Sequence, residues 1–106
     1  MSEPSAEAGA IWERLRTILD PEFGVNIVDL GLIYSVEVAG RQANVTMTLT
    51  TPNCPAGSWI VEGVRRAVAN SPDVAKSQVN LVFDPRWNAE MLSDAARRQL
   101  GLAPPK

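Results

Sequence analysis

A single cysteine, Cys54, lies in the run Thr50-Thr51-Pro52-Asn53-Cys54-Pro55, between a strand-like and a helix-like stretch. If a helix starts at Pro55, the sulfur lies close to unpaired backbone N–H groups and to the positive end of the helix dipole. Both favour a thiolate over a thiol. Against this stands the common use of free cysteine as a buried, inert small hydrophobe; residue chemistry alone leaves the two readings level. The other candidate groups are carboxylates: Asp20 and Glu22 in Asp20-Pro21-Glu22, and Asp29 in Asn26-Ile27-Val28-Asp29-Leu30-Gly31. Their spacing is a weak signal for acid–base work, and Asp20 and Asp29 would equally accept turn N–H groups in Asx-type bonds.

Composition narrows the chemistry. The chain of 106 residues has no histidine, so one copy builds neither a Cys/His zinc site nor a Cys–His nucleophile. A soft metal or iron–sulfur unit would need Cys54 together with carboxylates, a second subunit, a client protein or a small thiol. One cysteine excludes an intrachain disulfide, which fits a reducing cytoplasm. The net charge of −2 gives no electrostatic case for nucleic acid or an acidic membrane surface. No apolar run approaches the roughly 20 residues of a membrane span, and the acidic N-terminus lacks the pattern of a signal peptide.

The elements that must position these groups follow from periodicity. Ala8, Ile11, Trp12, Leu15, Ile18 and Leu19 form the stripe of an amphipathic helix ending at Asp20-Pro21. Residues 32–39 and 42–50 alternate as two strands joined at Gly40-Arg41, a hairpin with one apolar face and a threonine-rich face expected to be solvated. Ile60, Val61, Val64, Ala67 and Val68 have helical spacing, with Trp59 off the stripe, where it would shield the thiol, meet a partner or pack under the neighbouring loop. Val79, Leu81 and Phe83 read as a third strand. A last helix runs from about Asn88 to a C-cap at Gly101.

This order predicts an α+β fold of two layers, helix–hairpin–helix–strand–helix, with a small mixed three-stranded sheet and helices on one face. The crossover through a helix sets the third strand parallel to the second. Residues 1–7 and 103–106 are expected to be tails flanking a single domain, 8–102. A helix–hairpin–helix–strand order also occurs in one class of KH domain, but the glycines form no Gly-x-x-Gly clamp and the net charge is wrong.

Four segments carry a resemblance, in order: Asp20-Pro21-Glu22, residues 26–34, Thr50-Thr51-Pro52-x-Cys54-Pro55, and Trp87 through Gly101. Together they resemble the iron–sulfur cluster assembly (FSCA) domain family of SufT, PaaD and MIP-type proteins, over roughly residues 10–102. The resemblance implies a non-enzymatic accessory factor that helps assemble clusters or deliver them to apo-proteins. It implies Cys54 as the functional thiol and as an iron or cluster ligand shared with a partner. It also implies Thr51, Pro52, Asp20, Glu22 and Asp29 as the supporting loop positions. No tightly bound cofactor is expected, only transient iron or an iron–sulfur cluster. Client apo-proteins, other assembly proteins and a homodimer are the expected partners. PaaD-type proteins add a cysteine-rich C-terminal metal module that has no counterpart here, so a phenylacetate-pathway maturation subunit is an alternative lacking that module. A thiol redox sensor or enzyme is another, resting on helix-N-terminal activation alone.

Overall fold

The amphipathic spacing of Ala8, Ile11 and Leu15 forms helix α1 (Ala6–Leu15), which begins two residues earlier than expected because Ala6 and Glu7 are themselves good helix formers. In the computed structural model, which describes residues 6–52, 57–72 and 74–102, Ile11 and Leu15 are fully buried and Trp12 packs half-buried against the same core. The helix stops sooner than its stripe. Thr17 and Ile18 donate to Arg14 and Leu15 in a tightened last turn, and the Thr17 hydroxyl also donates to the Arg14 carbonyl. The chain then extends, so Leu19 leaves the apolar stripe, pairs with Asn26 in an isolated antiparallel bridge and is 52% exposed.

Strands β1 (Ile33–Ala39) and β2 (Gln42–Met47) form the hairpin, joined at Gly40, whose φ of +62° suits the first central position of a two-residue turn. Ala43, Val45 and Met47 are buried on one face, while Gln42, Asn44 and Thr46 lie on the other. The threonine face is not uniformly solvated. β1 carries a register shift between Ile33 and Ser35, and just beyond β2 Thr48 is fully buried with its N–H on the Leu32 carbonyl. Helix α2 (Gly57–Ala69) buries Ile60, Val64 and Val68, and β3 (Lys76–Leu81) returns parallel to β2. Phe83 lies past the strand and packs against the core from outside it.

The sheet order is β1-β2-β3, with α1 packed on β1 and α2, and α2 packed on β3. The result is the α+β architecture anticipated: helices over the apolar face of a small mixed sheet. The expected last helix is two pieces. A 3-10 turn at Ala89–Met91 is capped by Asn88; Leu92 is extended, and Ser93 caps helix α3 (Asp94–Gln99). A serine that can accept the Ala96 N–H, placed before Asp94, restarts the helix instead of continuing it. Gly101, at φ +76°, ends α3 in a Schellman motif: its N–H reaches Arg98 O and that of Leu102 reaches Arg97 O at 2.7 Å.

Candidate functional site: an acidic loop held by the C-terminal segment

Between α1 and β1 the chain runs through Asp20, Glu22 and Asp29. Asp20 is fully buried. Its Oδ1 accepts the N–H groups of Glu22 at 2.7 Å and Phe23 at 3.2 Å, while its own N–H and C=O close the turn with Val25 and Gly24. The Asx-type role expected from Asp-Pro is therefore present. Only half the carboxylate is used, however, and Oδ2 is buried with no hydrogen-bond partner among the described residues. Burying a carboxylate oxygen without a hydrogen bond is costly. Glu22 is exposed beside it.

Asp29 is placed differently. Its carboxylate accepts Asn26 Nδ2 at 2.7 Å and Arg16 Nη1 at 3.3 Å, and Asn26 Oδ1 accepts the Asp29 N–H. Burial pushes this carboxyl up, but hydrogen bonds from Asn26 and Ser93 and the charge and hydrogen bond of Arg16 outweigh it, so Asp29 titrates below the ordinary aspartate range. Among the described residues the carboxylate takes side-chain donors rather than turn N–H groups, and it ties the loop to Arg16, just beyond α1.

The loop is also gripped from the far end of the chain. Trp87 Nε1 donates to Leu30 O at 2.6 Å, Ser93 N–H to Asp29 O at 2.8 Å, and Gln99 Nε2 to Gly24 O at 3.1 Å. The Tyr34 hydroxyl donates to Pro85 O at 2.7 Å. Gly31, at φ +83°, lets Met91 lie directly on the loop backbone: a Cβ there would stand 2.8 Å from Met91 Cβ. Sequence reasoning did not anticipate these anchors. Gly31 before a strand and Trp87 outside any periodic stripe were the only traces.

Cys54, with Asn53, Pro55 and Ala56, lies outside the described residues. Thr51 and Pro52 before it are exposed, and Gly57 after it is buried at the start of α2. The chain entering the acidic loop packs on the same helix, since a Cβ on Gly63 would meet Ile18 Cδ1 at 3.7 Å. Trp59 is 59% exposed and so is not packed beneath a loop. Among the described residues no three of His, Cys, Asp and Glu come together to hold a metal ion, and no helix is long and apolar enough to cross a membrane.

Comparison with known proteins places the chain. The model of the iron–sulfur cluster assembly protein family matches residues 9–81. An Fe-S protein maturation auxiliary factor of Porphyromonas gingivalis is 50% identical over 88 residues, 82% of this chain and 84% of that protein. The maturation auxiliary factor SufT of Staphylococcus aureus is 39% identical over 81% of this chain and 99% of its own length. A Bacillus anthracis crystal structure titled as a domain of unknown function, DUF59, superposes with a TM-score of 0.85 at 37% identity, covering 92% of this chain and 94% of that one. An α+β domain whose buried aspartate turn is clamped by its own C-terminal segment thus has close structural kin. The chain belongs to the iron–sulfur cluster assembly protein family.

Proposed function

We propose that this chain, as a single domain spanning residues 8–102, is an accessory factor for the maturation of iron–sulfur proteins. The observation that carries the reading is the near full-length match to relatives named as Fe-S protein maturation auxiliary factors. Iron or a cluster is its cargo, held transiently and passed to apo-proteins, and the protein performs no catalytic step of its own. Cys54 is the working thiol, since it is the one thiolate donor the sequence offers. A single thiolate per chain holds a cluster weakly and needs ligands from a partner, which suits transfer better than storage.

The loop residues divide by role. Asp20 offers a buried, unpartnered Oδ2 as a harder oxygen donor, with exposed Glu22 beside it. Asp29, engaged with Arg16 and Asn26, acts as a positioning residue. Thr51 and Pro52 lead the chain to Cys54. Client apo-proteins and other assembly proteins supply the missing ligands, in the cytoplasm, with a homodimer as one way of pairing two thiols.

The test compares client-enzyme cluster occupancy in cells carrying wild type and Cys54→Ala. Loss of occupancy with normal levels of the folded variant is expected; full occupancy would remove the cysteine from the mechanism. Anaerobic reconstitution with iron and sulfide, read by absorbance and native mass, gives stoichiometry and dimerisation together.

A further inference from the structure

The sheet order leaves β3 at an open edge. Lys76 N–H donates to Arg41 O at 3.1 Å and Val82 N–H to Met47 O at 2.8 Å, with an unbroken parallel register from Gln42↔Lys76 to Met47↔Leu81. With the two-residue period of a strand, Gln78 and Asn80 also turn their backbone groups toward β2. Ser77, Val79 and Leu81 therefore turn theirs to the open side. No other element among the described residues pairs with them.

Helix α2 runs along this edge. Between the two lie a pair of shallow cavities of about 310 Å³ each, one against Leu49, Pro52, Val61 and Leu81, the other against Arg65, Ala69, Ser77 and Val79. Val61, Arg65 and Ala69 recur every four residues, so one face of the helix forms the far wall throughout. Leu81 is 42% exposed and Val79 half-buried. The strand thus presents apolar side chains to the groove at the same residues whose backbone groups face outward. Arg65 is the charged residue of the lining and makes no ion pair among the described residues, whereas its neighbour Arg66 pairs with Glu62 at 3.4 Å.

We propose that the β3–α2 groove binds an extended segment of a partner protein by strand addition. The segment pairs with the outward backbone of Ser77, Val79 and Leu81, seats alternate apolar side chains against Val79 and Leu81, and sets a carboxylate opposite Arg65. Free edge strands are templates for such pairing; backbone bonds supply affinity and the groove selects side chains. A second copy fits less well. Two β3 strands related by a twofold run antiparallel, which brings Arg65 against the partner's Leu81 end, and the lining at that end holds no carboxylate. This binding mode goes beyond the maturation role and does not depend on Cys54.

The probes are acetylated, amidated peptides of roughly nine residues, about a strand and its flanks, alternating valine and leucine with serine. One terminal residue is Asp or Lys, and both chain directions are made. They are titrated into the ¹⁵N-labelled full chain. The Asp peptides are expected to shift the amide resonances of Ser77, Val79 and Leu81, slow their hydrogen exchange, and bind about tenfold more tightly than the Lys peptides. Arg65→Glu, on an exposed helix face, should fold normally and reverse that preference. The proposal fails if those amides do not respond, or if the preference survives Arg65→Glu. It also fails if the same amides shift with protein concentration alone as sedimentation reports a dimer, for then a second copy covers the edge.

Discussion

The indole Nε1 of Trp87 lies 2.6 Å from the carbonyl oxygen of Leu30, joining the segment after β3 to the end of the acidic loop. Leu30 is itself fully buried, so its carbonyl has little recourse to solvent. Trp87→Phe keeps an aromatic ring but removes the donor together with some of the indole's volume. An orphaned acceptor of this kind costs about 1–3 kcal/mol. Urea unfolding should show that loss, and the amides of residues 24–31 should exchange faster than those of β2. Uniform acceleration across the chain would mean that Trp87 contributes only general packing.

Two glycines separate backbone conformation from crowding. Gly31 and Gly40 both have positive φ, but only Gly31 has Met91 in the space where a Cβ would sit, while Gly40 faces open space. Gly40→Ala should cost about 1–2 kcal/mol, the left-handed conformation alone. Gly31→Ala adds a clash and should cost about 2–4 kcal/mol. Equal urea midpoints for the two variants would show that Met91 moves aside freely.

Asp20 offers a test of stability against use. Asp20→Asn retains an oxygen for the Glu22 and Phe23 N–H groups and should keep its denaturation midpoint close to that of wild type. Asp20→Ala removes the acceptor and should lose about 1–3 kcal/mol. If Oδ2 serves the cargo, client cluster occupancy falls in both variants although one of them is fully folded. Full occupancy with Asp20→Asn would confine Asp20 to turn formation.

The lowered Asp29 titration fixes a sign. A carboxyl with a folded-state pKa below its unfolded value of about 4 contributes stability that is fully present above that value, and this is lost as pH falls through the folded pKa. Asp29→Asn should therefore destabilise the protein at pH 6–7. The gap to wild type should begin to narrow below about pH 4 and close only below the lowered folded-state pKa, where the wild-type carboxyl is itself protonated. A gap independent of pH would assign the effect to hydrogen-bond geometry rather than to ionisation.

Much of this fold is written in its periodicities. The stripe Ile60, Val64, Val68 and the alternation Ala43, Val45, Met47 are buried as their spacing requires, and the helical crossover gives the parallel β3. Departures occur where a local hydrogen bond overrides a pattern. The Thr17 hydroxyl helps close α1 early, the N–H of buried Thr48 bonds the Leu32 carbonyl, and Ser93 restarts a helix that composition alone would run through. For the acidic loop, the Asx role of Asp20 was readable from Asp-Pro. The links from Arg16 to Asp29 and from Trp87 to Leu30 were not, because a single bond between distant residues leaves no repeat in the chain.

Those distant bonds set an order of events during synthesis. The acidic loop leaves the ribosome long before Trp87, Ser93 and Gln99, yet its backbone carbonyls at Leu30, Asp29 and Gly24 receive their donors from those three residues. Closing such separations carries an entropic cost that local helices and the β1–β2 hairpin escape, so the hairpin and helices can form first and the loop last. A nascent or truncated chain that stops short of Trp87 would then own every carboxylate of the loop while lacking the bonds that hold the loop backbone in place.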